Sequence, residues 1–186
     1  EVETPYTSFA GYVAAAGRVG FIAASPTRFA AAVLFDPETQ TCTELQTAST
    51  IEVDQGYLST PEAIEFSASN ELSTSDQDTN CVNVTVHAYY YPPTSTGFTG
   101  PEDERPPLLV MSHGGPTGAT SDALRLGLQY WTSRGIAVLD VDYSGSTGYG
   151  TAYRRRLNGN WGILDVDDCI NGAKFLIERG DVDPDR

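Results

Sequence analysis

The apolar positions of this chain follow two different periods, and the change falls near residue 106. Upstream, apolar or alternating runs at Phe9–Ala16, Val19–Ala24, Phe29–Phe35 and Thr41–Leu45 are separated by Gly17-Arg18, Ser25-Pro26-Thr27 and Asp36-Pro37-Glu38-Thr39. Short runs bounded by turn formers predict strands, and four with tight connections predict an antiparallel meander. Such a sheet is either one blade of a β-propeller, whose faces need neighbouring blades, or a small sheet packed on the rest of the chain. Glu62–Ala68 and Val82–Tyr91 predict two more strands, joined by the polar loop Ser69–Asn80. In the second of them Val82, Val84, Val86 and Ala88 alternate with Asn83, Thr85, His87 and Tyr89, the period of a half-buried strand. Tyr91-Pro92-Pro93 ends it, and Thr94–Arg105 reads as a loop.

Downstream, Leu108–Met111 is a continuous apolar run, which predicts a strand covered on both faces. Asp122–Arg134 has helical spacing, with Leu124, Leu128 and Trp131 on one side and Gly135 as its stop. Ile136–Val141 is another buried strand. Asp165–Arg179 is a second amphipathic helix, with Ile170, Ala173, Phe175, Leu176 and Ile177 on its apolar side and Gly180 closing it. Strand and helix alternating over short connections argue a mostly parallel sheet with helices on its faces. The pattern calls for a further strand after Asp181–Arg186.

Composition narrows the picture. With 186 residues and 40% hydrophobic content the chain can bury a core, as one domain or two small ones. A formal charge of −14 and a pI near 4.3 argue against nucleic acid as a partner. The basic run Arg154-Arg155-Arg156 reads as the solvated face of a helix start. No apolar stretch approaches the roughly 20 residues a membrane span needs. The chain opens without Met and without a basic leader, which is compatible with a processed or truncated product. Cys42, Cys81 and Cys169 form no CxxC pair; three scattered thiols suit a reducing, cytoplasmic compartment, each packing as a small hydrophobe. Asn83-Val84-Thr85 matches the glycosylation pattern but lies within a strand, and is read as chance.

The chemistry concentrates in Ser112-His113-Gly114-Gly115-Pro116. Glycines at the C-terminal end of a buried strand let the backbone approach a substrate, in the crevice where α/β sheets bind ligands. In α/β-hydrolases an HGG-type loop there supplies an oxyanion donor. His113, Gly114 and Gly115 are the candidate oxyanion-loop residues. The glycine-rich connection Asp140–Gly150 has neither phosphate-binding order of glycines, so a nucleotide site is not expected. Asn160-Trp161-Gly162 with Asp165, Asp167 and Asp168 could be taken for a metal cluster, but carboxylates in a first helical turn are favoured by the helix dipole alone. His87 reads as a packed or surface residue. No G-x-S-x-G is present, Ser144 and Ser146 lack the flanking glycines, and His87 and His113 are the two imidazoles of the sequence. The Ser, Asp and His of a catalytic triad are therefore not expected within these residues.

Leu108–Pro116, Gln129–Gly135, Ala137–Gly150, Gly159–Asp168 and Asp181–Arg186 resemble successive blocks of the prolyl oligopeptidase family of serine peptidases, nearest to its acylaminoacyl-peptidase and dipeptidyl-peptidase-like branch. Leu58–Phe66 and His87–Pro93 resemble the family's entry into its hydrolase domain. The resemblance implies an α/β class: the N-terminal half of an α/β-hydrolase domain at 57–186, preceded by one antiparallel β-propeller blade at 1–56. It implies cleavage of short peptides by a Ser-Asp-His acyl-enzyme mechanism, without metal or organic cofactor, and without nucleic acid or membrane as partner. It leaves a homo-oligomer of the full-length protein open. The nucleophile would follow shortly after Arg186, so the chain itself is expected to be inert. His113 stands where some members place an oxyanion-donating Tyr. Ser144 stands where the family usually carries an Arg, which removes an anchoring ion pair. A carboxylesterase or lipase on the same fold, and a non-catalytic binding module without a triad, are the competing readings; the blade-like start speaks against the esterase.

Overall fold

The computed structural model describes residues 2–71, 81–115 and 117–186. The first four strands, β1 (Ser8–Ala15), β2 (Arg18–Ser25), β3 (Arg28–Asp36) and β4 (Thr41–Thr47), form an antiparallel sheet in chain order. Its alternation buries Ala23, Ala31 and Val33 with Tyr6 on one side and leaves most of β1 in solvent. After a 3-10 turn at Gln55–Tyr57 a second, mixed sheet begins, built from β5 (Glu62–Glu71), β6 (Cys81–Tyr91), β7 (Leu108–Ser112) and β8 (Ala137–Asp142) in the order β5-β6-β8-β7. Here β6 runs antiparallel and β7 parallel to β8.

The interior strand β8 is buried at every position, so its two faces serve two cores. Ala137, Leu139 and Val141 pack with Ile64, Phe66, Val86 and Ala88 under Leu164 and Leu176 of α3 (Leu164–Arg179). Val138 points the other way, with Tyr91, toward Leu128 of α1 (Leu126–Thr132). Gly172 lets α3 press directly on this sheet, because a Cβ there would stand 2.8 Å from Leu139 and 3.0 Å from the Phe66 ring. Gly180, at φ 82°, ends α3 in the left-handed conformation that a side chain disfavours. A short helix α2 (Gly150–Arg155) lies between β8 and α3. Among the described residues no helix is long and apolar enough to cross a membrane.

Several sequence expectations are corrected. The helix expected from Asp122 begins only at Leu126, because the preceding residues have other partners: Leu124 donates its N–H to the Ser25 carbonyl of β2 (2.9 Å), and Arg125 stays extended with its guanidinium on Asp140. The β5–β6 ladder runs on to the Glu71–Cys81 pair, so Ser69–Glu71 are strand rather than loop; 72–80 lie outside the described residues. β7 is an edge strand and half-buried: Leu108 and Val110 pack against one core and Leu109 and Met111 against the other, so the expected cover on both faces is present but incomplete. Ile170, counted on the apolar side of α3, faces solvent. Arg154 and Arg155 close α2 rather than open a helix, and Arg156 lies over the Tyr153 ring.

Burial also shapes the alkaline titration. It pushes the Cys169 thiol up to about 11 and the Tyr90 and Tyr91 phenols up to about 12. Unfolded, the thiol ionises near about 8.5 and the phenols near about 10. The stabilisation is therefore complete below about pH 8.5 and is lost as pH rises toward 12, because the unfolded chain releases its protons first. Urea midpoints should fall steadily through this window, with Tyr90 and Tyr91 ionising only as the protein unfolds. Ionisation of Tyr90 or Tyr91 in the folded state at about pH 10, read by site-resolved NMR, would contradict this.

Candidate functional site

Parallel strands bring their C-terminal ends, and the loops that follow, to the same side of a sheet. Ser112 of β7 is level with Val141 of β8, so the loop starting at His113 lies beside the one starting at Tyr143. The two loops are bonded to each other: Thr147 donates its N–H to the Gly118 carbonyl at 2.7 Å, and its hydroxyl reaches the same oxygen at 3.1 Å. Gly114 and Gly115 are exposed, and no acceptor for their N–H groups is found among the described residues. Uncommitted N–H groups at the end of a parallel strand are what an oxyanion site requires. Pro116, part of the expected motif, lies outside the described residues.

His113 is held from several sides. Its ring stacks on Tyr143 with centroids 4.4 Å apart, Nδ1 lies 3.0 Å from the Gly114 carbonyl, and Nε2 lies 2.7 Å from Ser146 Oγ. The Ser146 hydroxyl gives its proton to the Tyr143 carbonyl at 2.7 Å, so Nε2 is the donor toward Ser146. Asp142 Oδ1 stands 3.8 Å from the same Nε2. A hydroxyl, an imidazole and a carboxylate thus meet, but not in the order of a triad. A triad carboxylate holds Nδ1 while the nucleophile faces Nε2; here both groups are on the Nε2 side and Ser146 has no exposure to solvent. The arrangement orients the ring rather than activating a hydroxyl.

Below the loop, β8 presents Asp140 and Asp142 on one face, both about 2% exposed. Asp140 accepts from the Thr120 hydroxyl and the Arg125 guanidinium. Asp142 accepts the Thr120 N–H through Oδ1 and the Tyr149 hydroxyl through Oδ2, each at 2.7 Å. Burial pushes the Asp142 carboxyl above its ordinary range, and the Thr120 and Tyr149 donors pull it back down. Tyr149 in turn is driven strongly upward, first by burial and then by its bond to Asp142. The Thr120–Arg125 segment also touches the first sheet, through Leu124 to Ser25 and through Ser121 Oγ to Ser8 Oγ (3.3 Å). From sequence, no site role was assigned to Thr120, Asp142, Tyr143 or Tyr149; Asp140–Gly150 was weighed only as a phosphate loop and Ser146 only as a nucleophile. The available signal was Asp140-Val141-Asp142 itself, since two carboxylates in a buried strand must have partners.

The remaining candidates take structural positions. His87 stacks on Tyr149 with centroids 3.8 Å apart and lies 3.3 Å from Glu65, a packing position behind the Tyr149–Asp142 bond. Asp165 accepts the Gly162 N–H at 2.8 Å ahead of α3. Asp168 is buried and accepts the Ser144 N–H at 2.6 Å. Ser144, where an ion pair was expected to be missing, has its hydroxyl buried with no hydrogen-bond partner among the described residues.

The family model described as the prolyl oligopeptidase family matches residues 123–186. A puromycin-hydrolyzing peptidase of Mycobacterium tuberculosis superposes on 100% of this chain with a TM-score of 0.88 and 39% identity, and the chain spans 27% of that protein. The dipeptidyl aminopeptidase BIII of Pseudoxanthomonas mexicana is 33% identical over 100 residues, 53% of this chain and 14% of that enzyme. The acylamino-acid-releasing enzyme of Arabidopsis thaliana is 36% identical over 80 residues, 43% of this chain and 10% of the plant protein. The likeness thus takes in β7, the glycine loop and β8 as well as the residues that follow, and it shows that the chain belongs to the prolyl oligopeptidase family.

Proposed function

We propose that the chain forms the oxyanion-loop portion of a serine peptidase that hydrolyses peptide bonds of short peptides through an acyl-enzyme. The observation that carries this reading is the pair of exposed, uncommitted N–H groups at Gly114 and Gly115, held at the end of β7 by bonds from the neighbouring loop. The tetrahedral oxyanion would sit against these groups, with the His113 ring fixing the loop from behind. Nucleophile, acid and base would come from polypeptide that these residues do not include, since the sequence contains no G-x-S-x-G and both of its imidazoles are committed to packing contacts. On this reading 57–186 is the first part of an α/β-hydrolase domain, and the meander at 1–56 is the last blade of a β-propeller. The names of the three relatives above, two peptidases and an acylamino-acid-releasing enzyme, support it.

Activity-based labelling tests the proposal. A fluorophosphonate should leave the 186-residue chain unmodified, while the intact polypeptide containing it should be labelled at one serine outside these residues and should cleave a fluorogenic dipeptide amide. Labelling of Ser144, Ser146 or any other serine of the chain would refute the assignment. An intact protein that takes no label and cleaves no peptide would favour a binding module.

A further inference from the structure

We propose that Asp142 is the positioning residue of the oxyanion loop, closing it like a staple from below with Tyr149 as its supporting donor. One oxygen, Oδ1, faces both flanks of the loop: it accepts the Thr120 N–H at 2.7 Å and stands 3.8 Å from His113 Nε2. The other oxygen accepts the Tyr149 hydroxyl at 2.7 Å. The carboxylate sits at the C-terminal end of the fully buried strand β8, whose carbonyl at the same residue is fixed by the Tyr153 hydroxyl at 2.6 Å. The rigid sheet therefore carries the loop at two points, and the glycines between those points inherit its geometry.

The alternative, a carboxylate present only for stability, fits the surroundings poorly. Burying a carboxylate is costly, and replacing a buried polar network by apolar residues is often neutral or stabilising. Asp142 raises that cost further through its neighbour Asp140, two residues earlier on the same face. What the arrangement supplies in return is precision: a misplacement of about 1 Å at a reacting group can cost about 100-fold in rate. Tyr149 completes the element. Its ring is clamped between His87 and Tyr153, with centroids 3.8 and 5.1 Å away, so its hydroxyl has a fixed direction.

The catalytic consequence rests on the peptidase reading; the staple itself does not, and the test separates the two. Asp142→Ala, Asp142→Asn and Tyr149→Phe are made in the intact polypeptide. Three quantities are measured: kcat and KM on a fluorogenic dipeptide amide, thermal midpoint, and amide exchange at Thr147, whose N–H bonds the Gly118 carbonyl of the loop. Asp142→Ala should lower kcat by about 100-fold with KM changed less than about threefold, and loop exchange should accelerate. Asp142→Asn, whose amide oxygen can still accept the Thr120 N–H, should recover about tenfold of that loss, and Tyr149→Phe should retain more activity still. Unchanged loop exchange in Asp142→Asn and Tyr149→Phe overturns the proposal, as does a kcat that stays within about twofold of wild type in folded variants. Should Asp142→Ala fail to fold, the other two variants decide. If the wild-type protein cleaves no peptide while the variants still loosen the loop, the staple stands and the peptidase reading falls.

Discussion

Leu139→Ala is expected to lower the unfolding free energy by about 3–4 kcal/mol, and adding Gly172→Ala to it should return part of that loss. Leu139 is fully buried in the interior strand of the mixed sheet, and truncation of such a leucine loses transfer free energy and leaves a cavity. By itself Gly172→Ala should also destabilise, by about 1–2 kcal/mol, because the new methyl would stand 2.8 Å from Leu139 Cδ2 and 3.0 Å from Phe66. Its gain in helix propensity, about 1 kcal/mol, offsets only part of this. In the double variant the offending leucine branch is gone, and the methyl enters the space it left. The two changes should therefore be non-additive by at least about 1 kcal/mol, measured as a double-mutant cycle in urea. Strict additivity would mean that α3 and β8 are not in the direct contact described.

Gly118→Ala should have the opposite signature, a large loss of activity with little change in stability. A Cβ at Gly118 would lie 2.7 Å from His113 Nδ1 and 3.0 Å from the Gly114 carbonyl. The imidazole has nowhere to go, being stacked on Tyr143 and bonded to Ser146, so the glycine backbone must yield. Displacing oxyanion donors costs about 100- to 1000-fold in kcat, and for the intact peptidase a fall of about 100-fold is expected, with less than about 1 kcal/mol lost on unfolding in urea. Gly100→Ala, where a Cβ meets nothing within 4 Å, is the control and should leave both quantities unchanged. Full activity in Gly118→Ala would show that the loop is not held as tightly as its contacts imply.

The fold was legible where a period repeats. Alternation located β6, the turn formers separated β1 to β4, and the spacing of Leu176 and its neighbours, with Gly180 as terminator, located α3 to within a residue at its start. It misled where tertiary partners compete with local preference. Arg125 and Leu124 have helical spacing, yet a carboxylate on β8 and a carbonyl on β2 hold them out of α1. The edge position of β7 was equally hidden, since an apolar run looks the same at the edge of a sheet as in its middle. At the site, His113, Gly114 and Gly115 were candidates from motif and context. Asp142 was not, because its partners Thr120 and Tyr149 lie 22 residues before it and 7 after it, at spacings that carry no local meaning.

Periodicity, turn chemistry and the HGG motif were enough to predict an antiparallel meander, a second sheet (read as mostly parallel, though two of its three pairings are antiparallel), a glycine loop after β7 and a family resemblance. All of these rest on neighbours along the chain. The partners of the loop depend instead on β7 lying parallel and in register with β8, which sets Ser112 beside Val141 and the two following loops side by side. That register is set by burial on both faces of the sheet at once, a condition no single segment contains. Only once the strands are docked do two carboxylates in an apolar strand acquire the donors that make their burial tolerable, and only then does the glycine loop gain a fixed shape.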